Sequence, residues 1–348
     1  DTTSPVLVTG ATGYVAGWII HDLLAAGLTV HAAVRDPGNA DKVAHLTAMA
    51  EASPGDLKLF KADLLDPGSY RAAMEGCATV FHTASPFTVS VKDPQRDLID
   101  PAVKGTANVL EQAKDTDSVK RVVLTSSCAA IYCDAADCAA APNGTLTEDV
   151  WNTTATLDHQ PYSLSKTLAE KEAWRIAEAQ STWDLVVVNP SLVIGPATNP
   201  QPTSESFRIV RQLGDGAMKA GAPRAGFGVV DVRDLAQAHL AAAFTTEAKG
   251  RHIISAHDTD LLELGLALQP SFGADYPLPK RALPKWLVWL VGPFNGIPRK
   301  FVSLNVNHVW RADNSKARAA FGLSYRPLQT SMQDMFQQMI DQGVFKKA

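Results

Sequence analysis

A doubly wound parallel α/β sheet with a smaller, mostly helical C-terminal lobe is the fold class this sequence predicts. Three observations carry the expectation. Short apolar runs alternate with helical stretches from Val6 to Asn189, the rhythm of a parallel sheet covered by helices on both faces. A glycine-rich turn, Gly10-Ala11-Thr12-Gly13, joins the first apolar run to the first helical stretch. The rhythm then breaks at Gly195-Pro196, where Pro190, Pro196, Pro200 and Pro202 cluster.

Taken in order, Val6 to Thr9 reads as a buried parallel strand ended by Gly10. Gly13 to Ala26 is helical, with Val15, Ile19, Ile20, Leu23 and Leu24 on one side and Gly27 as its stop. Leu28 to Val34 reads as a second strand, Ala40 to Glu51 as a helix and Leu57 to Lys61 as a third strand. Pro67 to Glu75 looks helical and Thr79 to His82 is strand again. A long helix is expected from about Pro94 to Lys114, followed by a strand from Val119 to Thr125. Beyond a Gly/Ala/Asn-rich loop, Tyr162 to Gln180 is helical and Leu185 to Asn189 is strand. The pattern resumes with Val229 to Phe244 and a strand near His252 to Ser255. What remains, with prolines at 277, 279, 284, 293 and 298, is too irregular for the sheet. Residues 1–190 plus 229–256 are therefore expected to form the sheet domain, and 191–228 plus 257–348 a smaller lobe over its cleft.

Bulk composition narrows the function class. The chain has 348 residues, 46% hydrophobic and 20% charged, an ordinary globular balance that argues against extensive disorder. Its formal net charge is −4 with no basic run, so neither nucleic acid nor an anionic membrane is an expected partner. The nearest approach to a membrane segment, Trp286 to Phe294, is far shorter than the ~20 apolar residues that cross a bilayer. It is expected to be a helix packed on the C-terminal lobe. No signal peptide is visible, and a cytoplasmic protein is expected. Cys77, Cys128, Cys133 and Cys138 form no CxxC pair and have no histidine at metal spacing, so free thiols and no metal are expected. A monomer or a homodimer is equally compatible with the sequence.

The glycine turn carries the first chemistry. Gly10-x-x-Gly13-x-x-Ala16 follows a strand and opens a helix, the context in which such a motif binds phosphate. Gly10 permits the tight turn, Gly13 lets the backbone approach a pyrophosphate, and the positive helix end faces the phosphates. Gly10, Thr12, Gly13, Tyr14 and Val15 are the expected contacts of a Rossmann-type dinucleotide cradle. At the end of the second strand, an acidic residue would hold the ribose hydroxyl of NAD, whereas Arg accommodates the 2′-phosphate of NADP. Here the chain reads Val34-Arg35-Asp36-Pro37. Arg35, helped by Lys42, suits a phosphate, and Pro37 suggests that Asp36 opens a turn. NADP(H) is the expected cofactor. Asp63, with Leu64 after the third strand, either places a carboxylate on the adenine amino group or caps the following helix. Thr83, Ala84 and Ser85 are small residues at the tip of the fourth strand, where backbone must pass a cofactor. His82 reads as a buried strand-end histidine.

The reacting centre follows from Tyr162-Ser163-Leu164-Ser165-Lys166. Side chains four apart on a helix share a face, with Cβ atoms roughly 5–6 Å apart. An ammonium at that range favours phenolate over phenol and readies the hydroxyl to protonate a carbonyl oxygen. Ser127 ends the strand that runs through Thr125, and the carboxyl ends of parallel strands are where doubly wound folds place ligands. Its hydroxyl there is expected to hold the substrate carbonyl while Tyr162 protonates it and NADPH delivers hydride to carbon. Lys166 would also bind the nicotinamide ribose. Ser127, Tyr162 and Lys166 are the expected catalytic residues; Thr125, Tyr162 and Lys166 are counted with the cofactor contacts.

These motifs resemble the extended short-chain dehydrogenases/reductases over nearly the whole chain. The resemblance lies in Val8 to Tyr14, Val34 to Pro37, Lys61 to Leu64, Phe81 to Pro86, Thr125-Ser126-Ser127, Tyr162 to Glu170, Asn189 to Pro196 and Val230 to Asp234. Within the family the chain looks most like the branch of dihydroflavonol reductases, cinnamoyl-CoA reductases and microbial aldehyde/ketone reductases. That resemblance implies NADPH as hydride donor, and Pro190, Ser191 and Val193 beside the nicotinamide, with Ser206 a weaker contact. It matches Asn108 to a family Asn, with a structural role. Where plant dihydroflavonol reductases commonly carry an Asn, this chain has Tyr132, as cinnamoyl-CoA reductases do. His159-Gln160-Pro161 departs from the Trp/Cys-containing signature of the plant CoA enzymes, which argues against CoA thioesters. The expected substrate is an apolar or aromatic aldehyde or ketone, reduced reversibly, with Phe87, Tyr132, Leu192 and Phe207 as pocket walls.

Two other readings use the same parts. Relatives oxidise a sterol or nucleotide-sugar hydroxyl or epimerise the sugar, though more often with NAD, which Arg35 disfavours. A redox-sensing NADP-binding protein without catalysis would keep the cradle and lose the Ser/Tyr/Lys set, which is intact here.

Overall fold

A computed structural model describes residues 3–86 and 91–345, so Phe87 lies outside the described residues. The main sheet has seven parallel strands: β1 (Val6–Thr9), β2 (Thr29–Val34), β3 (Asp56–Lys61), β4 (Thr79–His82), β5 (Arg121–Thr125), β6 (Asp184–Pro190) and β9 (Gly250–Ile254). Their order is β3-β2-β1-β4-β5-β6-β9. Chain direction across the sheet reverses between β1 and β4, which opens a crevice at their carboxyl ends. Thr9 pairs in register with Ala33 on one side and His82 on the other, so these tips sit at one level.

Alternation along each strand feeds two cores. Val6 and Val8 of β1 join Val30 and Ala32 of β2 under α1 (Tyr14–Ala25), α2 (Ala40–Glu51) and α7 (Val232–Phe244), whose Ile19, Ile20, Leu46 and Leu235 are fully buried. Leu7, Val80, Val122 and Val187 face the other way. They pack against Met74 of α3 (Arg71–Met74), Leu110 of α4 (Asp100–Lys114) and Ile176 of α5 (Pro161–Glu178). Gly27, at φ +81°, ends α1 in the left-handed region that its lack of a Cβ permits.

A second, three-stranded sheet has the order β10-β8-β7, and its central strand crosses the expected 228/229 boundary between sheet domain and lobe. It comprises β7 (Leu192–Ile194), β8 (Gly226–Asp231) and β10 (His257–Asp260). Phe207 of α6 (Glu205–Gly214), Leu264 of α8 (Leu261–Phe272) and Phe336 of α12 (Leu328–Asp341) pack with it. The remaining helices are α9 (Lys285–Val291), α10 (Arg299–Asn305) and α11 (Ser315–Phe321); α11 lies within the expected lobe segment but packs Ala317 into the main-sheet core.

The structure departs from the sequence expectations in a few places, each with a local cause. The helix read over Pro67 to Glu75 shrinks to α3, because Ser69 Oγ donates to the Asp63 carbonyl and accepts the Asp63 amide, folding 63–69 into a turn. The helix from Pro94 opens with a π-helical turn, Gln95–Ile99, before α4. Val229 to Asp231 is strand in the small sheet, and only Val232 onward is helix. The largest departure is Trp286 to Phe294. Only Val288 and Gly292 are buried there, whereas Trp286 and Phe294 are 67% and 88% exposed. One side of α9 suffices to close a small cluster of Ala225, Val288, Val302 and Val306, while on its other side Trp286, Trp289 and Leu290 stay exposed, with only the Arg299 guanidinium of α10 recorded against the Trp289 ring. No helix among the described residues is long and apolar enough to cross a membrane.

Candidate active site

The glycine turn is built as the spacing demands. Gly10 adopts φ +63°, and a Cβ there would stand 2.9 Å from Ala84 Cα, so β4's tip can approach only a glycine. Gly13 N donates to Gly10 O, and α1 then starts with no side-chain cap and no acid in its first turn. Its amides, including those of Tyr14 and Val15, are left for an anion. The Tyr14 side chain itself is buried and donates to Gly195 O at 2.6 Å. The Thr12 carbonyl accepts from Asn199 Nδ2, which ties the proline-rich loop over the turn.

Beneath the turn, Thr9 is the organiser. Its Oγ1 pairs with His82 Nδ1 at 2.9 Å and accepts the amides of Thr83 and Ala84, while Thr83 Oγ1 donates to Thr9 O. Burial, aided by the Lys166 charge, pushes the His82 imidazole down to about 3, so it is a neutral structural link.

Arg35 stands exposed at the end of β2, with no carboxylate paired to it among the described residues, and Lys42 is exposed nearby on α2. Asp36 spends Oδ1 on the Gly38 amide, closing a turn. That arrangement fits a 2′-phosphate better than a ribose diol. Asp63 Oδ1 accepts from Leu65 N and shapes its own turn. Asn108 of α4 donates to the carbonyls of Leu64 and Asp66, fixing that turn from below.

The three expected catalytic residues sit on β5's exit and on α5. Ser127 caps a short 3₁₀ turn, its Oγ accepting the Ala129 amide at 3.1 Å, which leaves its own proton free to donate. Lys166 Nζ lies 5.9 Å from the Tyr162 ring centroid and donates to Ser85 Oγ at 3.1 Å. Lys166 therefore spans from the catalytic helix to the tip of β4. Tyr162 is 52% exposed. Thr125 Oγ1 pairs with His239 Nε2 at 2.7 Å, and burial pushes that imidazole down to about 4. Pro190, the last residue of β6, is buried; after it Ser191 Oγ is buried with no hydrogen-bond partner among the described residues, and Leu192 and Val193 are half-buried. An unpaired hydroxyl at that edge is what a bound ligand would satisfy. Ser206 is also buried, but its hydroxyl donates to Val193 O and so holds α6 to β7.

The expected pocket walls divide. Tyr132 is half-buried with its ring 5.6 Å from Trp310, and Leu192 is half-buried on β7. Phe207 does not line the pocket: it is buried in the lobe core, edge-on to Tyr14 at 5.2 Å, because α6 turns its apolar face toward the small sheet. The four cysteines are free and buried. Burial pushes the Cys77 and Cys133 thiols up to about 12, which removes them as nucleophiles.

Two buried polar groups escaped the sequence reading. Glu170, one turn beyond Lys166 on α5, accepts from Ser126 Oγ, Asn189 Nδ2 and Arg251 Nε, joining the catalytic helix to β5, β6 and β9. Arg251 continues to the carbonyls of Glu148 and Val150 and stacks 3.9 Å over Trp151. Helical spacing alone puts Glu170 beside Lys166, and nothing in the sequence says that it points into the sheet. The second group is Asp134, which accepts from His159 Nε2 and from Asn305 Nδ2, both at 2.6 Å. It links the segment after Ser127, the turn before Tyr162 and α10. Gln160, next to His159, takes φ +56°, uncommon for a residue with a side chain. Cys133, Asp134 and His159 offer ligand atoms within 4.8 Å of one another, a cluster that the sequence spacing hid. The hydrogen bonds of His159 and Asn305 already satisfy the Asp134 carboxylate.

Comparison with known proteins places this arrangement. Residues 6–255 match the NAD dependent epimerase/dehydratase family. Cinnamoyl-CoA reductase CAD2 of Medicago truncatula is 37% identical, the match covering 94% of this chain and 93% of that protein. Tetraketide alpha-pyrone reductase 1 of Arabidopsis thaliana is 36% identical over 97% and 96% of the two chains. Among solved structures, yeast methylglyoxal/isovaleraldehyde reductase Gre2 complexed with NADPH superposes with a TM-score of 0.75 and 26% identity. That match covers 98% of this chain and 99% of the other.

Proposed function

Because this chain belongs to the NAD dependent epimerase/dehydratase family, in the branch of the dihydroflavonol and cinnamoyl-CoA reductases, we propose that it reduces an apolar or aromatic aldehyde or ketone to the alcohol, reversibly. It is an NADP-dependent oxidoreductase. One observation supports the reading above the others: Lys166 reaches from the Tyr162 helix to Ser85 at the tip of β4, beside the glycine turn. Cofactor cradle and proton donor thus meet at one crevice.

When bound, NADPH supplies the hydride for the carbonyl carbon. Everything else falls to the chain. Gly10, Gly13 and the open amides of α1 receive the pyrophosphate, Arg35 and Lys42 the 2′-phosphate, and Lys166 the ribose. The Ser127 hydroxyl donates a hydrogen bond to the carbonyl oxygen as negative charge develops there. Tyr162 gives that oxygen its proton, and the Lys166 ammonium stabilises the phenolate left behind until solvent restores the proton. Glu170, through Arg251 and Asn189, fixes the helix that presents both groups. We assign cofactor binding to residues 1–190 plus 229–256 and substrate binding to 191–228 plus 257–348, with Tyr132 and Leu192 on the substrate side. The unpaired thiols suit a reducing, cytoplasmic setting.

NADPH consumption against a panel of aldehydes, ketones and CoA thioesters tests the proposal. Turnover of free apolar carbonyls and silence on thioesters is the expected result; the reverse order would replace the substrate class. Tyr162→Phe should lower kcat by roughly 10²–10⁴ while NADPH binding holds, and a variant that keeps most of its rate removes Tyr162 as the acid.

A further inference from the structure

The outward side of α9 carries none of the residues given a named role in the reaction. Trp286, Trp289 and Leu290 follow one another at helical spacing and are 67%, 40% and 49% exposed, and the turn after them adds Phe294 at 88%. The inward side of the same helix is occupied by Val288 in its small cluster. A helix apolar on both sides is ordinarily buried on both, and a contiguous exposed apolar stripe marks a docking face.

Charge identifies the occupant. From Tyr276 to Ala312 the chain carries Lys280, Arg281, Lys285, Arg299, Lys300 and Arg311 and not one carboxylate, although the whole chain is at −4. Lys280, Arg299 and Lys300 of this segment are exposed, and the Arg299 guanidinium lies over the Trp289 ring, 4.3 Å from its centroid. Asp275 and Asp313 bound this stretch, and Asp260 and Glu263 on the lobe are paired with Arg224. A second copy of this chain docked symmetrically would set these cations against themselves, with no acid in the segment to relieve them. An anionic lipid surface instead gains from every cation, and the headgroup boundary is where Trp and Phe flanked by Lys and Arg settle.

We propose that the α9 face docks this protein peripherally on anionic bilayers, with Trp286 and Phe294 inserted at the headgroup level. This departs from the expectation, drawn from the whole-chain charge, of no anionic membrane partner, because the Tyr276–Ala312 segment is locally cationic, and it requires no spanning helix. Docking is also separable from carbonyl reduction, because it is read without substrate.

Sedimentation with vesicles of phosphatidylcholine alone, and of phosphatidylcholine with about a third phosphatidylserine, tests it. The full chain should pellet with the serine-containing vesicles only, and release at about 1 M salt, where screening falls to about 3 Å. Trp286→Ser with Phe294→Ser should weaken partitioning by roughly tenfold or more. Lys280→Glu with Lys300→Glu, which alters only exposed side chains, should do the same. Failure to pellet with the anionic vesicles overturns the proposal, as does equal binding to both vesicle types or binding untouched by either variant. Light scattering that finds a dimer in solution, split to monomers by Phe294→Ser, also overturns it by naming a second copy as the occupant.

Discussion

The carboxyl edge of the main sheet and the outward side of α9 are both rich in residues that sequence patterns pick out, yet they end oppositely. At the sheet edge, many polar groups that enter the interior find partners, Thr9 with His82, Thr125 with His239, Glu170 with Arg251 and Asn189, although Ser191 Oγ does not. On α9, apolar groups that should enter the interior stay out. A pattern of residue types states what a segment needs. Whether the need is met inside the chain depends on which elements the topology brings alongside. The sheet edge is met by four strands ending at one level, whereas α9 is met on one side only.

Breaking the sheet edge at its most connected point should cost most. Glu170→Ala leaves Arg251 buried and unpaired and frees α5 from β6 and β9, so unfolding free energy should fall by about 3–5 kcal/mol. Because α5 also carries Tyr162 and Lys166, kcat should fall in the fraction that stays folded. Chemical denaturation beside steady-state kinetics measures both, and a stability loss below about 1 kcal/mol would show that the pair is dispensable.

Acid should loosen the same edge next. His82, His239 and His252 are held neutral by burial, at about 3, 4 and 4, with the Lys316 charge adding to the effect on His252. Unfolded, each takes up a proton near 6.5, so the unfolded state binds more protons below that point. Stability is therefore full above about pH 6.5 and declines as pH falls toward 4, with at most roughly 1.4 kcal/mol per pH unit from each histidine. Denaturant titrations from pH 7.5 to 4.5 should show the decline, and His239→Gln should flatten it. An unchanged slope in that variant would mean that His239 is already charged in the folded chain.

How much of this was legible follows from the range of the interactions involved. The glycine turn, Arg35 at the strand end and the Tyr162–Lys166 pair are local, fixed by spacings of a few residues, and the structure puts Lys166 and the turn at one crevice. Asp36 illustrates a choice that Pro37 already tipped, since its carboxylate closes the turn to Gly38. Glu170–Arg251 and Asp134–His159–Asn305 join residues far apart in the chain, and no periodicity encodes such partners. Phe207 shows the converse error: an aromatic near a cleft in sequence order belongs to the lobe core once α6 is oriented. The extra strand β10 was hidden because its four residues, His257–Asp260, all have polar or charged side chains and carry no apolar alternation.

Cofactor selectivity is a smaller effect, confined to one exposed side chain. Arg35→Ala should raise the KM for NADPH by about tenfold, the value of one charge-assisted phosphate contact, while NADH kinetics stay level. If NADPH KM is unmoved, the 2′-phosphate lies elsewhere, and Lys42→Ala becomes the variant to examine.

The smallest change is expected on α9, and it is the one that most sharpens the contrast. Phe294 is 88% exposed, so the free chain loses almost no burial when it becomes Ser, and unfolding free energy should shift by less than about 0.5 kcal/mol. Val288, 4% exposed on the same helix, should cost about 1 kcal/mol or more as Val288→Ala, because its methyl groups close the cluster with Val302 and Val306. A pair of thermal melts separates the two sides of one helix. If Phe294→Ser proves as destabilising as Val288→Ala, the ring packs against the chain in solution and α9 is an ordinary buried helix. If the variant is neutral, the free energy gained by burying Trp286 and Phe294 is still available to whatever surface the helix meets, and selection for stability alone does not account for an aromatic at that position.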